Sequence, residues 1–311
     1  MRWIWYPGLL LVLLFAPQAA AATGWTITHE QTIVAEVQAA DYTLAGTSLI
    51  DLGALETLMD RIDEHVARAP VNARIGSSGA IEAERTGVRL DRRAFTAAFA
   101  AHVLSGGPGR LQAPLMRVHA RVDRELLAQI KEQAIGRYAT YFNAANRNRS
   151  HNIALAAQAI NNTVVFPGEQ FSFNAVVGER TLQKGYLRAP VIVRGELAED
   201  VGGGICQVSS TLYNAADRAG MEIVNRYSHS RRVPYVRPGR DATVSWGGPD
   251  FVFRNAYNQP VLIRAAAYGG SMYVSLYSSE LIEFHPREVP GVSGEAQPEA
   301  LAMVAGAYVS F

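Results

Sequence analysis

The chain has one cysteine, Cys206, and it follows three glycines in Gly202-Gly203-Gly204-Ile205-Cys206-Gln207. A thiol attacks as its thiolate, and an ordinary cysteine pKa of about 8.5 leaves little thiolate at neutral pH. The residues after Cys206 read as a helix from Gln207 to Ala219, with Val208, Leu212, Ala215 and Ala219 facing inward and Gly220 as its stop. Cys206 therefore falls where a helix begins. Unpaired N–H groups and the positive end of the helix dipole favour a thiolate there. The same N–H groups can receive the oxyanion of an acyl-transfer intermediate, and the Gln207 amide could add a donor. Gly202, Gly203 and Gly204 allow a sharp turn and a close approach to a ligand, which makes them candidate substrate contacts together with Ser209.

A thiol nucleophile also needs a base. Of seven histidines, His229 in Arg226-Tyr227-Ser228-His229-Ser230-Arg231 lies one connection beyond the cysteine helix and its following strand. It is the candidate general base and acid. Asp241 is the first candidate to orient the imidazole, with Asp250 as the alternative. Arg240 is a candidate for binding a carboxylate of a peptide substrate, and Asp250 a candidate substrate contact. Plainer readings exist for each: a lone cysteine can be a small buried hydrophobe, and aspartates often close turns.

Other chemistries lack their signatures. CxxC, HxxH and HExxH are absent, so no zinc site is expected. There is no GxSxG elbow, and no Lys-Ser/Thr follows the glycines as a phosphate loop requires. No metal or organic cofactor is expected. A net charge of +1 provides no electrostatic case for nucleic acid.

A nucleophile and its partners need a scaffold to hold them together. The 311 residues, 49% apolar and 18% charged, suggest two globular domains. Residues 1–22 read as a secretory signal peptide: Arg2, an apolar run from Leu9 to Phe15, then small residues from Ala19 to Ala22. The expected location is the periplasm or the extracellular cell envelope. The only membrane contact foreseen is this leader, if it were retained. Export sharpens the meaning of one cysteine, because a single thiol cannot form an internal disulfide.

The fold class expected is α+β throughout. Residues 23–124 read as a small α+β domain. It has helices over Leu52–Ala67 and after Asp91, and a hairpin within Asn72–Leu90. Residues 125–150 read as a connecting helix and a polar joint. Residues 151–285 read as a second α+β domain with a helix from Asn152 to Ile160, the cysteine helix and a mainly antiparallel sheet. Its strands include Ala242–Trp246 and a hairpin turned at Gly269-Gly270. Residues 286–311 read as a tail.

The ordered segments Arg149-Ser150-His151-Asn152-Ile153, Pro167 to Asn174, Val177-Gly178-Glu179-Arg180-Thr181, Gly185-Tyr186, Gly202 to Ala215, His229-Ser230, Gly239 to Val244 and Asp250 to Asn255 together resemble the VanW family. That family is named for a protein encoded in some vancomycin-resistance clusters. The resemblance spans about half the chain. More weakly, Asn72–Leu90 and the residues after it are similar to the peptidoglycan-binding domain that often precedes VanW domains. The resemblance implies a cell-wall role, peptidoglycan stem peptides as partners, and L,D-transpeptidase-like chemistry with Cys206 as nucleophile. One departure is Tyr227, where family members commonly carry a second histidine; Ser210, where Thr is common, is a milder one. Two other readings use the same residues: an endopeptidase of the NlpC type, in which water resolves the thioester, and a non-catalytic wall-binding module with an inert Cys206.

Overall fold

The computed structural model describes residues 24–105, 109–193 and 196–292. The signal-peptide reading, Arg194 and most of the expected tail lie outside them. The chain is α+β, with helices and several small, mostly antiparallel sheets. No helix among the described residues is long and apolar enough to cross a membrane.

The chain divides into two compact units, the first formed by residues 1–70 and 86–119, the second by 71–85 and 120–311. In the first, strands Gly24–His29 and Thr32–Gln38 form a hairpin, and Arg110–Gln112 adds parallel to the former. Helix Leu52–Val66 starts at Asp51, whose carboxylate accepts from the Gly53 and Ala54 N–H groups at 2.9 and 3.1 Å. Helix Arg92–Ser105 is capped likewise by Asp91 through the Ala94 N–H at 3.0 Å. Leu55, Leu58, Ile62, Phe95 and Phe99 of these helices bury the apolar stripe that their spacing predicts, against Trp25 and Ile27.

The second unit is built on a four-stranded antiparallel sheet in the order Gln133–Tyr141, Ser271–Ser278, Val261–Tyr268, Thr163–Val165. The two long strands join through Gly269 and Gly270, at φ +58° and +79°, the turn expected from sequence. Helices Arg147–Ile160 and Ile205–Arg218 pack on this sheet. The latter comes unusually close, because a Cβ on Gly136 would sit 2.4 Å from the Ala215 carbonyl oxygen and 2.8 Å from Ala219 Cβ. A smaller sheet of Gln170–Ser172, Val252–Arg254 and Glu222–Asn225 is filled by stacked Phe171 and Phe253, 5.1 Å apart.

Several boundaries differ from expectation. The division foreseen at residue 124 is drawn elsewhere, because residues 71–85 belong to the second unit. Asn162 ties them there, accepting from Ile75 N–H at 2.9 Å and donating to Ile75 O at 3.2 Å. The foreseen connecting helix stops at Ile130, and Gln133–Tyr141 is a strand of the main sheet. The polar joint is partly helical: Asn146 caps a helix that begins at Arg147, accepting from Arg149 N–H at 3.1 Å. Ala242–Trp246 is no strand. Its backbone is held by Ser210 Oγ on Ala242 N–H (2.9 Å) and by Tyr227 O on Thr243 N–H (2.8 Å), rather than by a ladder.

Candidate active site

The cysteine helix begins at Ile205, so Cys206 is its second residue. Gly204 is the N-cap at φ +107°, and Gly202 sits at +88°, conformations that side-chain-bearing residues avoid. Gly203 is required for a different reason: a Cβ there would lie 2.6 Å from Ala189 O and 2.7 Å from Pro190 O. Asn152, fully buried on the neighbouring helix, clamps this loop. Its amide nitrogen donates to Leu187 O at 2.8 Å and Gly203 O at 3.1 Å, and its oxygen accepts from Leu187 N–H at 2.8 Å. The space a side chain would take at Gly202, Gly203 and Gly204 is thus filled by Arg180, the Ala189–Pro190 backbone and Arg149. The three glycines shape the loop; the substrate contacts expected of them are not what their surroundings offer.

The Cys206 residue is half-buried. Its thiol lies 3.6 Å from Val244 O, to which it donates, and 3.7 Å from Thr243 Oγ1. The imidazole of His229 acts on it electrostatically. Asp241 Oδ2 accepts both the backbone N–H and the Nδ1–H of His229, each at 2.6 Å. Nδ1 is therefore committed to Asp241. Both side chains of this pair are only 8% exposed. Asp241, not Asp250, is the orienting carboxylate. The loop carrying His229 is fastened by Arg226 to Asp241 O at 2.6 Å, and Arg226 and Arg240 both lie against the Tyr213 ring, with centroid distances of 5.0 and 4.6 Å.

The protonation states follow. Burial pushes the Cys206 thiol up, but the neighbouring His229 imidazole, which favours the thiolate, outweighs it, and the thiol lies below its ordinary 9.0. Burial pulls His229 down, yet its bonds and charge attraction to Cys206 and Asp241 raise it above 6.5. Burial raises Asp241, and the two hydrogen bonds and charge of His229 bring it below 3.8. The three shifts all favour the charged form, of the thiol, the imidazole and the carboxyl alike.

The remaining sequence candidates have other duties. Gln207 is buried, and its amide nitrogen donates to Thr140 Oγ1 at 2.9 Å and Tyr141 O at 3.0 Å. Both its N–H groups are spent, so its side chain is no oxyanion donor; its oxygen instead accepts from Arg149 at 2.7 Å. Ser209 donates to Ala242 O at 2.6 Å and is sealed from solvent, which removes it as a substrate contact. Arg240 holds Asn214 Oδ1 at 2.8 Å and Asp217 at 2.7 Å and closes the Arg226–Asp241 loop. Asp250 accepts from Ser172 Oγ and the Asn174 and Phe251 N–H groups at 2.6 to 2.9 Å, an anchor for the smaller sheet. Phe251 and Phe253 are core, whereas Trp246 is exposed. Tyr227, at the position of the second histidine, projects outward at 46% exposure.

Residues without an assigned role in the sequence reading also converge here. Arg149 and Arg180 both act electrostatically on Cys206. Burial drives the Tyr235 phenol well above the ordinary value, so it stays neutral. A hollow beside the histidine is lined by Ser228, His229, Arg232, Gly239 and Asp241.

A family described as VanW-like protein matches residues 148–277, the stretch that carries Arg149, Cys206, His229 and Asp241. The chain is 52% identical over 281 residues to the uncharacterized protein YoaR of Bacillus subtilis, covering 90% of this chain and 93% of that one. It is 32% identical over 114 residues to the vancomycin B-type resistance protein VanW of Enterococcus faecalis, covering 35% of this chain and 41% of that protein. No solved structure matches. The ordered segments around the thiol, the matched stretch and the near full-length likeness agree: the chain belongs to the VanW family.

Proposed function

We propose that this chain is an exported cell-envelope protein that performs cysteine-dependent acyl transfer on peptidoglycan stem peptides, in the manner of an L,D-transpeptidase. The observation that carries the reading is the Cys206–His229–Asp241 constellation at the start of a helix, with the thiol lowered and the imidazole raised. The Cys206 thiolate attacks a carbonyl carbon of the donor stem. The tetrahedral oxyanion is met by the Cys206 backbone N–H and the positive end of the helix dipole. The carbon–nitrogen bond to the terminal residue breaks, and the departing amine takes its proton from His229. A thioester on Cys206 remains. An amine of a second stem then gives a proton to His229, attacks the thioester carbonyl and expels the thiolate, leaving one new amide bond. Asp241 keeps the imidazole in the required tautomer throughout.

Intact-mass measurement after incubation with tetrapeptide and pentapeptide stems tests this. A mass gain equal to the donor acyl group, absent in Cys206→Ala, is the expected result. A protein that stays unmodified and releases no terminal residue would overturn it. Muropeptide analysis distinguishes crosslinked product from hydrolysed stem. Sequencing the N-terminus of the envelope-fractionated protein tests export, with cleavage after Ala22 expected.

A further inference from the structure

Two guanidinium groups share the neighbourhood of the Cys206 sulfur, and they are served very differently. Arg149, in the first turn of its helix, donates to Gln207. Arg180, between the Phe173–Val177 helix and the glycine loop, has both terminal nitrogens buried with no hydrogen-bond partner. Its stem lies against the loop, since a Cβ on Gly202 would fall 3.1 Å from Arg180 Cβ. Its guanidinium lies 5.6 Å from the centroid of the Phe173 ring. Asp250 attracts it at longer range, but the Asp250 oxygens are engaged by Ser172, Asn174 and Phe251, and the two form no ion pair. Tyr186 and Cys206 complete the groups acting on it electrostatically. Asn174, next to Phe173 and nine-tenths buried, has its side-chain oxygen without a donor.

A guanidinium always carries its charge, so burying its N–H groups with no acceptor is costly. The planar fork matches a carboxylate, which accepts two parallel hydrogen bonds. Beside a sulfur, a buried cation without an acceptor favours an anionic ligand over a neutral one. We infer that Arg180, seconded by Arg149, is the subsite for a free carboxylate of the acyl donor, so that the substrate is an acidic peptide held beside Cys206 by that group. The inference rests on the reading of Cys206 as the acyl acceptor. The carboxylate has two possible sources, the C-terminus of the departing residue or a side-chain carboxylate of the donor.

Two alkylating probes of one size and opposite charge character test it. Iodoacetate carries a carboxylate and iodoacetamide does not. The ratio of their rates at Cys206, relative to the same ratio for free cysteine, cancels changes in thiolate content. That relative ratio is expected to exceed one by about tenfold. Arg180→Gln, and more mildly Arg180→Lys, lowers it toward one. A wild-type ratio at or below that of free cysteine overturns the inference without any variant, and so does a raised ratio that Arg180→Gln leaves unchanged. Failure of Cys206 to react with either reagent near neutral pH overturns the acyl-transfer reading itself, a distinguishable outcome. Stem peptides amidated at the C-terminus or at the side-chain carboxylate then separate the two sources. The amidation that lowers kcat/KM in the wild type, and not in Arg180→Gln, identifies the group bound; no loss from either overturns the inference.

Discussion

The two units of the chain bury very different material. Among the described residues, the first unit buries a single polar side chain, Thr28, beneath a core of Trp, Phe, Leu and Ile. The second buries Thr140, Asn152, Asn174, Asp241 and Asn255, and the cysteine helix alone adds Gln207, Ser209, Ser210, Thr211 and Asn214. Apolar packing would stabilise a helix on a sheet at less risk, because a buried polar group is costly unless every hydrogen bond is made. Around the cysteine helix they are made in chains: Arg149 to Gln207 to Thr140 to Thr211, and Cys206 O to Ser210 to Ala242. Hydrogen bonds fix direction in a way that apolar contact does not. The first unit is built to stay folded, and the second is built to hold a sulfur, a ring and two guanidiniums in place.

The sharpest way to break this comparison is Cys206→Ala. Loss of the thiol should abolish acyl transfer, by at least ~10³-fold, while the folded structure stays intact by circular dichroism. Next is Asp241→Asn, which removes, after Cys206, the second influence that raises His229 and so weakens the one that lowers Cys206. Acyl transfer should fall by roughly 10²–10⁴-fold. In the wild type, thioester formation against pH should rise along a limb below the ordinary thiol value of 9.0, as the lowered thiol ionises. It should fall above the ordinary imidazole value of 6.5, as the raised His229 loses its proton. Asp241→Asn should move the two limbs in the opposite directions. Stopped-flow alkylation and single-turnover kinetics across roughly pH 4 to 10, a range that brackets both groups, would show whether they move.

Leu58→Ala probes the other side. It cuts the first unit's core and should cost about 2–5 kcal/mol in denaturant unfolding, with the Cys206 alkylation rate unchanged. A changed rate would mean that the two regions are not separable in the way their contents suggest. Asn152→Ala should cost about 1–3 kcal/mol by leaving Leu187 O and Gly203 O unmet. Unlike Leu58→Ala, it should also slow alkylation, because the glycine loop loses its clamp. The smallest effect is expected at Arg74→Ala. Its ion pair with Glu82, 64% and 51% exposed, should contribute less than about 1 kcal/mol, and both assays should barely register the change.

What sequence reveals divides along similar lines. Cys206, His229 and Asp241 stood out in the sequence because their chemistries are scarce, and the structure joins His229 to Asp241. Gln207 was misread because the direction of a side chain on the first turn depends on what the helix packs against, here Thr140 of the sheet. Arg149 and Arg180 carried no signal of their own, since arginine is common and usually solvated, and only tertiary packing buries these two. Their place in the family's ordered segments was the one available hint. Periodicity found the amphipathic helices Leu52–Val66 and Ile205–Arg218. It missed the first turn of Arg147–Ile160, where Arg147, Asn148, Arg149 and Ser150 offer no apolar residue to mark a face. It also turned Ala242–Trp246 into a strand, because an extended chain pinned by side chains has the same alternation as one pinned by a ladder.

Gly136 lies on a strand with no reactive group, yet the height of the sulfur over the sheet depends on its bare backbone. One methyl there would meet the Ala215 oxygen at 2.4 Å and jack the whole cylinder of Ile205–Arg218 upward. Shifts of about 1 Å between reacting atoms can change rates by ~10²-fold. The position of Cys206 can therefore be shifted from beneath, by volume alone, at a buried backbone contact.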